Sequence, residues 1–338
     1  MNRLLNNPEQ VVDEMLAGYI ASYPDRFCKL DGYHVLLNKN EKDKVSIVIG
    51  AGGGNEPWPI GYVGEGLADA CSLGNVFAAP TAKSILNAIR YVPNEKGVLC
   101  IATNHAGDVL NFELVAGLAE MEGIHTRQIY VSDDITSAEK TQREERRGIA
   151  GVSLIVKIAA AASEAGLSLE EVYEIASMAN KNIYTVSVTT SPAYILETGQ
   201  PAYELPDGEM EYGMGFNGEK GIERTALSTA DEVMERMVQM LWEDMNLEPG
   251  EEIAVFLNPY KATTVLESYT LMRKYLEDVY KRQLCIQGAR KHSGGGSRCQ
   301  TASGGGRSGH DYRVYPEDRV QNRDNRAASQ PHAGTADV

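Results

Sequence analysis

The sequence predicts a two-domain α/β protein in which parallel or mixed sheets are flanked by helices. Short apolar runs alternate with helix-like segments through about the first 180 residues, which is typical of parallel sheets. The pattern changes near residues 181–183, and the chain of 338 residues is long enough for two hydrophobic cores. We therefore expect one domain over residues 1–182 and a second over residues 183–277.

The first domain is expected to begin with an amphipathic helix that Asn7 caps and Pro8 starts. The apolar run "VSIVIGA" predicts the first buried strand of the alternating pattern. Further helices are predicted over residues 81–91, 109–122, 149–165 and 169–180, and further strands over residues 97–103 and 125–133. The capping box formed by Ser168 and Glu171 indicates where the last of these helices begins.

The second domain is expected to contain a strand in "EMEYGMGF", a helix over residues 227–245 capped by Ser228, and a buried strand in "EEIAVFLN". A helix-like segment, "ATTVLESYTLMRKYLE", then ends at Glu277. The following "DVYKRQ" resembles the translation of a sequencing adapter, and residues 284–338 contain nine glycines but only five Leu, Ile, Val or Phe residues. We interpret residues 278–338 as an artefactual disordered tail and the second domain as truncated.

Composition narrows the classes of partner. The net charge of −15 and the pI near 4.9 argue against nucleic acid or an anionic membrane, which both require clustered Lys and Arg. The N-terminus has no signal-peptide pattern, no run is long enough to span a membrane, and the five cysteines show no metal-ligand spacing. We expect a cytoplasmic protein, with Cys100 as a small buried residue in its strand.

A glycine-rich segment, "GAGGGNEP", follows the first buried strand and forms the first of three loops of interest (first loop, residues 50–57). A dinucleotide site requires a helix directly after such a motif, but Pro57 and Pro59 follow at once, and no Walker sequence is present. Nucleotide binding, including binding of NAD, is therefore disfavoured. A backbone cradle for a small ligand and a structural turn both remain open.

Two further loops follow predicted strands, "TNHAGDVLNFE" (second loop, residues 103–113) and "GFNGEKGIER" (third loop, residues 215–224). In open parallel sheets, ligands bind where such loops meet. Asp108 suits either a helix cap or a general base. His105 suits a loop position or a site, and Asn217 suits a tight turn with positive φ.

Five segments together carry a family resemblance: "GGGNEPWPIGYVGEG", "FAAPTAKSI", "NHAGDVLNFE", "RRGIAG" and "GEMEYGMGFNGEKGIER". In this order the sequence resembles the K-subunit, or substrate-binding subunit, of dihydroxyacetone kinase. The resemblance implies a two-domain subunit, usually a homodimer, that binds a small ketose or polyol and no cofactor of its own. The phosphoryl group is then supplied by a separate L-type subunit that holds a magnesium nucleotide, which in many bacteria is recharged by the phosphotransferase system.

The resemblance also implies roles for individual residues. Asp108 matches the family's catalytic aspartate. The family's glycine cradle for the substrate matches Gly52, Gly53 and Gly54.

Three other substrate-site positions differ from the family pattern. Asn55 and Thr103 stand where the family has a histidine and a lysine, and Asn217 stands where it has the histidine that adds to the substrate carbonyl. An amide nitrogen has a delocalised lone pair and is not a nucleophile under these conditions. We therefore expect the substrate to bind noncovalently.

Two hypotheses follow. The first is a dihydroxyacetone kinase-like phosphotransferase subunit, because Asp108 and the glycines are kept. The alternative is a non-catalytic paralogue that acts as a small-ligand sensor or regulatory partner, because three site positions are replaced.

Overall fold

The centre of the fold is a six-stranded sheet with strand order β1-β2-β4-β3-β5-β6. The structure is a computed structural model, which describes residues 4–248, 250–260, 262–281 and 285–286. The strands are β1 (Phe27–Lys29), β2 (Val35–Asn38), β3 (Ser46–Gly53), β4 (Ala70–Val76), β5 (Val98–Thr103) and β6 (Thr126–Val131). The pairs β4–β3, β3–β5 and β5–β6 are parallel, and β1–β2 and β2–β4 are antiparallel. The prediction of a mixed α/β fold is confirmed.

Helices cover both faces of this sheet. They are α1 (Val11–Ser22), α4 (Val152–Glu164) and α5 (Leu169–Lys181) on one face, and α2 (Ala82–Tyr91) and α3 (Ala106–Met121) on the other. Neighbouring strand residues point to opposite faces, so Leu99 packs with the first group and Cys100 with the second. Cys100 is buried as predicted, and burial raises the pKa of its thiol to about 12.

Several predicted helix starts are confirmed. The Asn7 side chain accepts a hydrogen bond from the Glu9 amide, and the short 3₁₀ helix Pro8–Gln10 leads directly into α1. Thr81 caps α2, and the capping box of Ser168 and Glu171 starts α5. By contrast, α3 starts at Ala106, three residues before the predicted Val109.

The second sheet has three antiparallel strands, β7 (Val188–Thr189), β8 (Glu209–Tyr212) and β9 (Glu223–Ala226). It is followed by α6 (Ala230–Met245), a two-residue strand β10 (Glu252–Ile253) and α7 (Val265–Lys281). Thr229, with Glu232, forms the capping box of α6, so the predicted cap at Ser228 is wrong by one residue. The predicted boundary after residue 182 falls just beyond the end of α5.

The prediction of a buried strand over "EEIAVFLN" is wrong. Only Glu252 and Ile253 are in a strand, and Phe256 remains 40% exposed. A continuous apolar run is typical of a strand that is covered on both faces. Residues 253–257 alternate between intermediate and exposed, so this segment is not buried on both faces.

The predicted tail is described only at its beginning. Helix α7 continues through Glu277 to Lys281, and Asp278 is buried beside Lys274. Residues 285–286 form a short strand, β11 (Cys285–Ile286), which pairs in parallel with β10. The remainder of the predicted tail lies outside the described residues.

No helix in the described part of the chain combines the length and the apolar character needed to cross a membrane.

A buried ion pair joins the two parts of the chain. The Arg146 guanidinium donates to both carboxylate oxygens of Asp244 on α6, at 2.8 and 2.6 Å, and Arg146 is only 1% exposed. Its Nε also donates to the carbonyl oxygen of Ala138 at 3.1 Å. A bidentate pair in this environment is strongly oriented, so it fixes α6 relative to the first sheet.

Replacing Asp244 by Ala should lower the free energy of unfolding by about 3–5 kcal/mol, because the Arg146 charge would remain buried without its partner. Urea denaturation would measure the change. As a control, Glu223→Gln removes one partner of the half-exposed Arg236–Glu223 pair and should cost less than about 1 kcal/mol. Equal costs for the two variants would contradict this interpretation of the buried pair.

Candidate functional site

The first and second loops lie side by side at the carboxyl edge of the six-stranded sheet. β3 and β5 are parallel neighbours, with Gly50 opposite Ala102. The first loop therefore leaves the sheet next to Thr103, the last residue of β5. This is the edge at which ligands bind in open parallel sheets.

The glycines of the first loop are in close contact with other parts of the chain. A Cβ atom at Gly52 would lie 2.7 Å from the backbone nitrogen of Ala78 and 2.8 Å from its carbonyl oxygen. A Cβ at Gly53 would lie 3.1 Å from Val12, and Gly54 has a φ of +95°. The glycines are thus required by the packing of the loop itself.

The rest of the first loop does not continue into an α-helix. Pro57 and Pro59 precede only the short 3₁₀ helix Ile60–Tyr62, so the geometry of a dinucleotide loop is not formed. The Gly54 amide donates to the Glu56 carboxylate at 2.9 Å. The Asn55 side chain extends to the third loop, where its Nδ2 donates to Oδ1 of Asn217 at 3.1 Å.

Asp108 lies in the first turn of α3, and His105 occupies the N-cap position. The alternative of Asp108 as the helix cap is therefore wrong, because the helix begins before it. Thr103 Oγ1 donates to Oδ2 of Asp108 at 3.3 Å. Asp108 is 7% exposed, and its Oδ1 has no hydrogen-bond partner within the described structure.

Burial raises the pKa of Asp108 to about 6, although the nearby His105 charge and the Thr103 hydroxyl act in the opposite direction. A carboxyl group whose pKa lies near the working pH suits a general base. The unpartnered Oδ1 supplies the acceptor atom that such a base needs.

The third loop makes a tight turn in which Gly218, with a φ of +94°, takes the left-handed conformation that we predicted for Asn217. The Gly218 amide donates to the carbonyl oxygen of Gly215 at 3.0 Å. Glu219 holds Asn217 from within the turn: its carboxylate accepts from the Asn217 backbone amide at 3.1 Å and from Asn217 Nδ2 at 3.3 Å.

A continuous polar network connects all three loops. Its steps are Asn55 to Asn217, Asn217 to Glu219, and Glu219 Oε1 to His105 Nδ1 at 3.1 Å. Burial by itself raises the pKa of Glu219, but the His105 ring and the backbone donors outweigh it and bring the pKa to about 2. Burial by itself lowers the pKa of His105, but Glu219 and Gly148 outweigh it and raise the pKa above its ordinary value.

Two acidic residues after β6, which our sequence interpretation did not identify, hold the segments that surround the third loop. Asp134 accepts from Arg147 Nη2 at 2.8 Å, and the same nitrogen donates to the carbonyl oxygen of Gly213 at 2.7 Å. Asp133 accepts from the backbone amides of residues 149 and 151. The segment "VSDD" could have indicated these two residues, because its aspartates follow a parallel strand at the same edge as the first two loops.

A cavity of about 450 Å³ opens beside this network. Among the predicted site residues, Gly54 and Asn55 line its wall, and Phe216 and Gly218 contribute from the third loop. The other aromatic residues in the wall are Trp58, Tyr62, Phe77, Tyr194, Tyr203 and Tyr260. Asn55 therefore belongs both to the cavity wall and to the network that leads toward Asp108. Asp108 itself does not line the cavity wall.

No group of His, Cys, Asp or Glu side chains in the described ranges is arranged to hold a metal ion. The acidic side chains near the site are instead engaged in hydrogen bonds and ion pairs, as Asp134 and Glu219 illustrate.

The family model for the Dak1 domain matches residues 17–294. The chain belongs to the Dak1-domain family. The match covers most of the sequence, includes all three loops, and extends past the predicted boundary at Glu277. The predicted resemblance to the dihydroxyacetone kinase K-subunit is thereby confirmed.

Curated relatives of this Dak1-domain chain are kinases or kinase subunits. It is 39% identical over 288 residues to the PTS-dependent dihydroxyacetone kinase 2, dihydroxyacetone-binding subunit DhaK of Listeria innocua, covering 84% of this chain and 86% of that protein. It is 33% identical over 290 residues to the L-erythrulose kinase of Pectobacterium atrosepticum, covering 85% of this chain and 49% of that protein.

Solved structures give the same fold. The dihydroxyacetone kinase operon co-activator DhaQ has a TM-score of 0.73 at 29% identity, covering 81% of this chain and 85% of that one. The dihydroxyacetone kinase from C. freundii in complex with AMP-PNP and Mg²⁺ has a TM-score of 0.72 at 27% identity, covering 83% of this chain and 52% of that one.

Gly52→Ala should destabilise the fold by about 2 kcal/mol or more, because the new methyl group would clash with the Ala78 backbone, which cannot move aside easily. The matched control is Gly117→Ala in α3, where a Cβ meets nothing within 4 Å and should add about 0.5–1 kcal/mol of stability. Urea denaturation of both variants would test this. A stable Gly52→Ala variant would show that the first loop does not pack as described.

Asp108→Asn should stabilise the fold at pH 7.5 by on the order of 2 kcal/mol, because the variant no longer buries an ionised carboxylate. The folded-state pKa of Asp108 is raised to about 6, from an unfolded value of about 3.9. The contribution of Asp108 to the free energy of unfolding is thus fully present below about pH 4 and is lost as the pH rises through 6. The melting temperatures of the wild-type protein and Asp108→Asn should differ at pH 7.5 and converge near pH 4. Asp207→Asn, at an exposed position, should have the wild-type melting temperature at both pH values.

Proposed function

We propose that this chain is the substrate-binding subunit of a dihydroxyacetone kinase-like phosphotransferase. It binds a small ketose or polyol noncovalently and presents a substrate hydroxyl to a phosphoryl group carried by a separate L-type, nucleotide-bearing subunit. The observation that carries the proposal is the buried Asp108, whose Oδ1 is unpartnered at the edge where the three loops meet. The DhaK subunits among its relatives, which match over more than four fifths of their length, support it.

In this proposal Asp108 is the general base. Its Oδ1 accepts the proton of the substrate hydroxyl as that oxygen attacks phosphorus, while Thr103 holds the other carboxylate oxygen. Proton transfer to a positioned base contributes about 10²- to 10⁴-fold to the rate. Because the pKa of Asp108 is raised to about 6, the base form predominates at neutral pH and is lost below that value.

Asn55 and Asn217 are proposed to orient the substrate beside the cradle formed by Gly52, Gly53 and Gly54. The mutual hydrogen bond of the two asparagines uses one donor and one acceptor, and their side chains keep further groups for a ligand. Neither side chain titrates, and neither forms a covalent bond to a carbonyl carbon. Recognition therefore depends on hydrogen bonds, which suits a range of short polyhydroxylated substrates such as trioses and tetroses.

The regulatory alternative is less well supported. One similar solved structure is an operon co-activator, but the curated relatives include dihydroxyacetone-binding kinase subunits and erythrulose kinases. The base that turnover requires is also present. A cytoplasmic location and a homodimeric state are part of the proposal, and sedimentation velocity of the purified chain would test the second.

The experiment combines the purified chain with an L-type subunit, magnesium ATP and either dihydroxyacetone or erythrulose. We expect phosphorylated ketose, and Asp108→Asn should lower kcat by about 10²- to 10⁴-fold with little change in KM. The stability of that variant is expected to increase, so a loss of activity cannot be attributed to unfolding. Absence of product with every triose and tetrose would refute the proposal and favour the regulatory alternative.

Intact-mass spectrometry separately tests the noncovalent mode. Wild-type protein incubated with dihydroxyacetone should keep its mass, because amides do not add to the carbonyl. Asn217→His, which restores a nucleophilic ring nitrogen, serves as the matched positive control and should gain the mass of one ligand. An adduct on the wild-type protein would contradict noncovalent binding without contradicting phosphoryl transfer.

A further inference from the structure

His105 makes contacts that only a doubly protonated imidazole ring can satisfy. Its Nδ1 lies 3.1 Å from Oε1 of Glu219, and its Nε2 lies 3.0 Å from the carbonyl oxygen of Gly148. A carbonyl oxygen and an ionised carboxylate only accept hydrogen bonds, so both ring nitrogens must donate. The ring is therefore an imidazolium that carries one positive charge.

This cation is enclosed by acidic groups and by an aromatic ring. The His105 side chain is 14% exposed, and its ring centroid lies 5.2 Å from that of Phe216 on the third loop. Glu219 faces it from the third loop and Asp108 from its own helix. Tyr260 interacts electrostatically with Glu219, Asp134 and Arg147. His105 thus interacts with two carboxylates: it contacts Glu219 directly and acts on Asp108 through its charge.

The ion pair between His105 and Glu219 also affects the third loop. Glu219 uses Oε1 both for His105 and for Asn217 Nδ2, and Oε2 for the Asn217 backbone amide. Asn217 in turn accepts from Asn55. A loss of the His105 charge would therefore release Glu219, and the orientation of the Asn217 amide would be lost with it.

We propose that His105 is a positioning residue of the phosphotransferase site: its ion pair with Glu219 holds Asn217 against the first loop, and its charge lies beside Asp108. The substrate-related part of this inference rests on the proposed function, whereas the ion pair itself does not. Both ring protons are committed to acceptors, so His105 does not transfer a proton in this arrangement. Its charge favours the carboxylate form of Asp108 and opposes the effect of burial.

Nuclear magnetic resonance of the imidazole nitrogens tests the ion pair without any assay of activity. In the wild-type protein both nitrogens of His105 should be protonated at pH 7, with a titration midpoint above the ordinary value of about 6.5. Glu219→Gln removes the opposite charge and should lower that midpoint by about one pH unit. The ring signals of His34, which pairs with Asp13 and not with Glu219, should be the same in both proteins.

The inference is overturned if His105 is neutral at pH 7, or if its midpoint does not respond to Glu219→Gln. The wild-type measurement alone decides the first point, so the test does not depend on whether a variant folds.

Steady-state kinetics with the L-type subunit test the positioning role. His105→Gln should raise KM for the ketose by roughly tenfold, because Asn217 is no longer held. It should also move the acid limb of the pH profile of kcat/KM upward by about one pH unit, because the charge that favours the carboxylate form of Asp108 is removed. Glu219→Gln should raise KM similarly. The double variant should be no worse than either single variant, because both remove the same contact.

Additive effects on KM together with an unmoved acid limb would show that His105 has only a structural role. A wild-type protein that phosphorylates no ketose but shows the protonated His105 would contradict the proposed function and leave the ion pair established. The two failures are therefore distinguishable.

Discussion

The buried carboxylate of Asp133 is the constraint on which the rest of the site depends. It is fully buried at the end of β6, and it accepts hydrogen bonds from the Ile149 and Gly151 amides and from the Thr185 hydroxyl. These partners lie before α4 and after α5, at the point where the chain enters the second sheet. Burial raises the pKa of Asp133, so its four acceptor positions must be well occupied for the charge to be tolerated. The connection between the two sheets is held in this way, and Asp134 extends it through Arg147 to Gly213, two residues before the third loop.

Given that junction, the site combines two kinds of geometry. The first and second loops are adjacent because β3 and β5 are parallel neighbours, which is a property of the sheet. The third loop reaches them from the antiparallel sheet and is joined to them by side chains. Asn55 with Asn217, and His105 with Glu219, form two polar bridges, and Phe216 packs near the His105 ring. Because side-chain bridges connect the two sheets, a single substitution can change this part of the site. The backbone of the first loop, by contrast, is fixed by the close packing of its glycines on Val12 and Ala78.

Neutral and charged groups have separate places in this site. Asn55 lines the cavity and Asn217 lies on the third loop, and both supply hydrogen bonds and do not titrate. The charges are concentrated farther along the network, on Glu219, His105 and Asp108, where burial makes each of them depend on its neighbours. In the proposed function, substrate recognition and proton transfer therefore depend on different residues, and binding is noncovalent. The relatives that act on trioses and on tetroses are consistent with a recognition mode of this kind.

Sequence alone predicts the alternation of strands and helices, the helix starts at Asn7 and Ser168, the glycine loop that cannot serve a dinucleotide, and the family pattern around Asp108. These features are local: apolar periodicity, capping residues and proline positions act within a few residues of the chain. It did not determine that α3 begins before Asp108, that the segment after Glu251 is exposed, or that Glu219 pairs with His105. Those outcomes depend on which elements pack together, because burial and the partner of a charged group are set by residues distant in the chain. The bond between Asn55 and Asn217 spans 162 positions, and only the tertiary structure brings two such side chains within hydrogen-bonding distance.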